Sequence, residues 1–266
     1  MVSFRSRSNS LPSQSHTAMN DVEDHLNSLL NASRATSTSS VCLNLVGLID
    51  LHDGINDLIH MPSVQQVLAH EQSENWINEL LEGSLRLVDL CGFSRDIVVL
   101  IKESVQDLES AMRRKVEGID SYVASRKKIN KMIKKCIKNI SNDTKQNSTE
   151  LPPVGKMLKE AESLDFSILK SVLMLLSGEK EKSNQRSWSL LTKRVHYDVV
   201  EQESCPSDLC SLNIHKSRKS IDSKNISKRL QASETRIQEI EEGLEALFRS
   251  LVKTRVCLLN ALSLSH

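Results

Sequence analysis

Residues 230–262 read LQASETRIQEIEEGLEALFRSLVKTRVCLLNAL, and this stretch decides the fold class. Leu230, Ile237, Leu244, Leu251 and Leu258 recur at every seventh position, with Ser233, Ile240, Leu247, Thr254 and Ala261 between them. Acids come early (Glu234, Glu239, Glu241, Glu242, Glu245) and bases late (Arg249, Lys253, Arg255), with no proline and one glycine, Gly243. Such a pattern specifies a long amphipathic helix that must bury a stripe against other helices. The stripe could be the seam of an intermolecular coiled coil. Phe248, Val252, Val256, Leu259 and Leu262 make it broader than a two-stranded seam needs, which favours docking inside a multi-helix core. Leu230, Ile237, Ile240, Leu244, Leu247, Leu251 and Leu258 are therefore expected to pack on the bundle, Leu244, Leu247, Leu251 and Leu258 against the region 41–112.

The rest of the composition agrees with an all-α bundle of long helices. Aromatics make up 3% of the 266 residues, and there are 8 Gly and 5 Pro. β-Sheet proteins need turn residues and favour aromatics, and both are scarce here. A net charge of +1 gives no whole-protein argument for nucleic acid. The six cysteines are dispersed and mostly on apolar faces, and no apolar leader precedes them. We read them as reduced thiols in an intracellular, cytoplasmic protein. No run is apolar enough for a membrane span; the nearest candidate, 168–176, contains Lys170.

Along the chain, 1–40 reads as a disordered Ser/Arg-rich tail and linker, interrupted by a short amphipathic piece with Val22, Leu26, Leu29 and Leu30. The N-terminal part of the bundle follows at 41–140. Its first helix, about 41–61, ends at Pro62, which opens a second helix that bends or breaks at Gly83 and Gly92. A basic helix closes this part at about 119–140. A polar, proline-containing linker (141–155), a helix (156–177), a polar loop region (178–225) and the heptad-patterned helix (226–262) complete the chain. Within the loop region, Trp188, Leu190 and Leu191 suggest a short docked element.

Several segments resemble the plant-specific BYPASS-like proteins. They are Arg5-Ser-Arg-Ser-Asn-Ser-Leu-Pro12, Leu48-Ile-Asp-Leu-His-Asp53, Met61-Pro-Ser-Val-Gln-Gln-Val-Leu68, the run 76–89, Tyr122-Val-Ala-Ser-Arg-Lys-Lys128 and the run 241–256. They occur in order over nearly the whole chain. The resemblance implies a helical protein with a role in root and shoot development. It implies no reaction, cofactor or catalytic residue.

Three constellations carry possible chemistry. Arg7, Ser10 and Pro12 have the spacing of a basophilic phosphorylation site that a 14-3-3 groove accepts. Ser/Arg-rich tails also produce such spacing by chance, and this tail has the composition of an organelle transit peptide as well. The basic helix puts Arg126, Lys127, Lys128, Lys131, Lys134, Lys135 and Lys138 on one broad side, opposite Tyr122, Ile129, Met132, Ile133, Cys136, Ile137 and Ile140. From 113 to 138 there are ten Lys/Arg against Glu117 and Asp120, an excess of eight positive charges. That excess suits an anionic lipid surface, or it is a solvated face balanced by acids elsewhere in the fold. Aromatics that would stack on bases are missing, which disfavours nucleic acid. Cys205, Cys210 and His215 lack a fourth ligand for zinc.

His52 and Asp53 are neighbours on a helix and do not face each other. There is no nucleophile elbow, P-loop or dinucleotide turn. No metal or cofactor is expected. The expected function is non-enzymatic: a helical interaction protein with protein partners, a 14-3-3 protein among them. The alternative is a peripheral, lipid-associated protein acting through the basic helix.

Overall fold

The computed structural model describes residues 13–33, 38–71, 75–114, 118–142, 151–178 and 223–263. Among these residues the fold is all-α, with seven helices and no strand. They are α1 (Ser13–Ala32), α2 (Thr38–Ile59), α3 (Pro62–His70), α4 (Asn75–Arg113), α5 (Ile119–Asn142), α6 (Pro153–Ser177) and α7 (Ser223–Ser263).

Local chemistry sets three of the boundaries. Pro62 and Pro153 stand at the first helical position of α3 and α6, where their missing N–H costs nothing. The residues before them, Met61 and Pro152, are extended, as the proline ring demands. Gly178 ends α6 at φ 69°, and its N–H donates to the carbonyl of Leu175 at 3.1 Å. A side chain there would be strained.

The core lies between α2, α4, α6 and α7. α7 runs in the same sense as α2, with Gly243 against Leu45 and Thr254 beside His52. It runs against α4, so that Glu241 pairs with Lys102 while Arg255 reaches Ser84. Leu230, Ile237, Ile240, Leu244, Leu247, Leu251 and Leu258 are all buried, with α2 and α4 as the main partners of their helix. α6 runs along α4, pairing Lys159 with Glu79 and Glu162 with Arg86. α5 packs on α4 and α6.

Two boundaries differ from the sequence reading. The segment 1–40 is not all tail and linker: α1 is a 20-residue helix. Its stripe of Val22, Leu26 and Leu29 is buried, because Gly47 and Gly54 of α2 leave room for Leu29 and Val22. Pro62 does not open one long helix with a break at Gly83 or Gly92. α3 ends at His70, and α4 runs through both glycines without interruption. Gly83 serves close approach rather than bending: a Cβ there would meet the carboxylate of Glu162. Trp188, Leu190, Leu191, Cys205, Cys210 and His215 fall outside the described residues.

Candidate functional site

The outward face of α5 is the first candidate. At 3.6 residues per turn, Lys127, Lys128, Lys131, Lys134, Lys135 and Lys138 fall within an arc of about 120°. All six are exposed. The opposite face is held by Tyr122, Ile129 and Ile133, which are buried, while Met132, Cys136, Ile137 and Ile140 are half-buried against the core. The orientation of α5 is thus fixed by its apolar stripe, and the lysines have no choice but to point outward.

Arg126 corrects the sequence reading. It belongs not to this surface but to the buried stripe, four residues after Tyr122 and three before Ile129, with 7% exposure. The same periodicity sets it about 140° from the centre of the lysine arc. Its Nη2 donates to the carbonyl of Leu176 at 2.8 Å, in the last turn of α6, where a cation meets the negative end of the helix. Its Nε and Nη1 meet no acceptor among the described residues.

Five bases on other helices are held by ion pairs across the bundle. Arg86, Arg95, Lys102, Lys159 and Lys253 each pair with a carboxylate of another helix. Among the described residues Lys127, Lys128, Lys131, Lys135 and Lys138 form no ion pair.

A second constellation lies inside, and sequence reasoning missed it. His52 of α2 turns inward, and its Nε2 lies 3.1 Å from Asp165 Oδ2 and 3.2 Å from Oδ1, on α6. Its Nδ1 lies 3.0 Å from the hydroxyl of Thr254, on α7. All three residues are buried. In the neutral imidazole, Nε2–H donates to the carboxylate and Nδ1 accepts from the threonine. Asp53, the sequence neighbour of His52, points outward to Lys253. The signal was present in the sequence: each of the three polar residues interrupts an apolar stripe. His52 lies between Leu48 and Ile55, Asp165 between Ala161 and Ile168, and Thr254 between Leu251 and Leu258.

This centre resembles a catalytic triad in residue types only. The adjoining cavity measures about 30 Å³ and is walled largely by Ile55, Leu80, Leu87, Leu158, Ala161 and Leu258. Ligand pockets for organic molecules run to about 300–1,000 Å³. The arrangement tethers three helices by hydrogen bonds in the interior.

Glu162 sits at the edge of the same cavity, over Gly83, with Arg86 at 3.7 Å. Burial pushes its carboxyl up to about 7. Arg86 and Lys159 pull it back, while Asp165 and Glu79 push it further. The Cys91 thiol is pushed up to about 12 by burial, and burial raises Cys42, Cys136 and Cys257 as well. None is activated as a nucleophile. Among the described residues no group of three or more His, Cys, Asp or Glu could hold a metal ion, and no helix is long and apolar enough to cross a membrane. The phospho-motif Arg7, Ser10 and Pro12 lies outside the described residues.

Comparison with known families settles the relationship. The family model described as Protein BPS1 matches residues 44–261. The chain belongs to the BPS1 family. The match takes in the lysine face of α5, the His52–Asp165–Thr254 centre and Glu162, and it leaves out α1 and the phospho-motif. It agrees with the BYPASS-like resemblance of the internal segments. No curated protein and no solved structure matches the chain.

Proposed function

We propose that this BPS1-family chain is a non-enzymatic helical interaction protein, acting inside the cell and, by its BYPASS-like resemblance, in plant root and shoot development. The observation that carries this reading is the lysine face of α5, an exposed surface on which Lys127, Lys128, Lys131, Lys135 and Lys138 form no ion pair among the described residues. The inner centre supports it from the other side. His52, Asp165 and Thr254 satisfy one another beside a cavity of about 30 Å³, which leaves no room for an organic substrate. Tail phosphorylation at Ser10, followed by 14-3-3 capture, is a second handle on the same scaffold.

The test is affinity purification of the tagged chain from root and shoot tissue, with partner identification. The wild type is compared with a variant carrying Gln at Lys128, Lys131, Lys135 and Lys138. Partners recovered with the wild type and lost with the variant are the expected result. A substrate turned over by the purified chain, with turnover lost in His52→Ala, would overturn the reading.

A further inference from the structure

We infer that the lysine face of α5 docks the protein on a bilayer containing anionic phospholipid, by electrostatic attraction to the headgroups without insertion of apolar side chains. The inference rests on the reading of the chain as an interaction protein and names the partner of that surface.

Geometry comes first. Lys127 to Lys138 span 12 positions of one helix, a rise of roughly 16 Å, with their charges on a single edge. The only acid in α5 is Asp120, in its first turn. A straight, convex edge of ammonium groups fits a plane of negative charge. It offers no groove to wrap a strand and no aromatic for bases to stack on, which sets a membrane ahead of a nucleic acid.

The chemistry of the side chains points the same way. Every base on the face is a lysine, and the one arginine of α5, Arg126, is turned inward to Leu176. Lysine is a mobile point charge without the planar fork that fixes one phosphate in one geometry. A fluid array of headgroups requires no fixed geometry. Arginine is the residue used where a single phosphate must be held bidentately.

The packing excludes insertion. An interfacial amphipathic helix buries its apolar face in the acyl boundary. In α5 that face is already committed: Tyr122, Ile129 and Ile133 are within the protein core. Only charge is left for the membrane, so binding must depend on anionic lipid and weaken with salt. Near such a surface each Lys contributes roughly a fivefold gain in partition.

The experiment is co-sedimentation of the full-length protein with vesicles of phosphatidylcholine alone and of phosphatidylcholine mixed with phosphatidylserine, at low and raised salt. The variant carries Gln at Lys128, Lys131, Lys135 and Lys138. A control carries Gln at Arg113, Lys156, Lys170 and Arg249, four exposed bases on other helices. Circular dichroism melts establish that both remain folded, as expected for surface substitutions.

Expected are binding to the mixed vesicles only, loss at raised salt, loss of more than a hundredfold in the α5 variant, and a much smaller change in the control. Equal binding to both vesicle types, no binding at low salt, or equal losses in the two variants overturns the inference. So does a duplex DNA oligonucleotide that binds more tightly than the mixed vesicles. If vesicle binding fails while the α5 variant still loses the partners recovered from tissue, the lipid assignment alone falls. If the variant changes neither, the interaction reading falls with it.

Discussion

His52 and Asp165 are 113 positions apart in sequence, and the imidazole Nε2 of one lies 3.1 Å from a carboxylate oxygen of the other in the interior of the bundle. Thr254 closes the arrangement from the third helix. Polar groups taken out of water are costly unless they find each other. Here each finds a partner from a different helix, so the contact holds only when α2, α6 and α7 are in register.

Removal of one partner is therefore expected to cost more than removal of both. Asp165→Ala leaves a buried imidazole N–H without an acceptor and should destabilise by about 1 to 3 kcal/mol. The double variant His52→Leu/Asp165→Leu should lose clearly less than the sum of the two single changes, because no unpaired polar group remains. Urea unfolding of His52→Leu, Asp165→Leu, the double variant and the wild type measures this; simple additivity would show that the two groups do not depend on each other.

Glu162 gives the fold a pH dependence of defined sign. Its carboxyl is held up at about 7, against an ordinary value of 4.5, by burial first of all. A folded state that holds the proton more tightly than the unfolded state is favoured at low pH. The contribution is fully present below about 4.5 and is lost as pH rises through about 7, with an upper bound of roughly 3 kcal/mol. Glu162→Gln keeps the neutral shape at every pH. Its stability relative to wild type should rise between about pH 5 and about pH 8, in denaturant melts at both ends. Parallel curves for the two proteins would refute the assignment.

The terminal helix and α1 should both belong to the cooperative unit. Leu251 is 3% exposed and Leu26 1%. Truncation of either to Ala should cost about 2 to 5 kcal/mol. A Leu251→Ala chain with unchanged stability would mean that α7 does not pack on α2 and α4. For Leu26, an unchanged midpoint together with rapid proteolysis within residues 13–33 would mean that α1 is a detachable appendage. α1 lies outside the segment that matches the BPS1 family, which gives that second measurement its interest.

The tail carries its own prediction. A synthetic peptide of residues 1–20 should bind a 14-3-3 protein when Ser10 is phosphorylated and not otherwise. The phosphate brings charge and three acceptor oxygens for an arginine cluster. Ser10→Asp should not substitute for it, since a carboxylate has less charge and one oxygen fewer. Equal binding by both peptides, or by neither at micromolar concentration, would reduce Arg7, Ser10 and Pro12 to a chance pattern.

Much of this protein is written locally in its sequence. The heptad of Leu230 to Leu258 foretells a long buried-face helix, Pro62 and Pro153 foretell helix starts, and the alternation within 119–140 separates the lysines from Ile129 and Ile133. These features rest on a 3.6-residue period and on proline stereochemistry, which need only neighbouring residues. The pairing of His52 with Asp165 and the seat of Glu162 over Gly83, beside Arg86, were decided by tertiary structure alone. Each depends on the distance and register between helices far apart in sequence. A helix period states which face turns inward; it does not state which residue of another helix that face will meet. Arg126 stands between the two cases. Its period already placed it with Tyr122 and Ile129, but only the C-terminal carbonyl of Leu176 explains how a guanidinium is accommodated there.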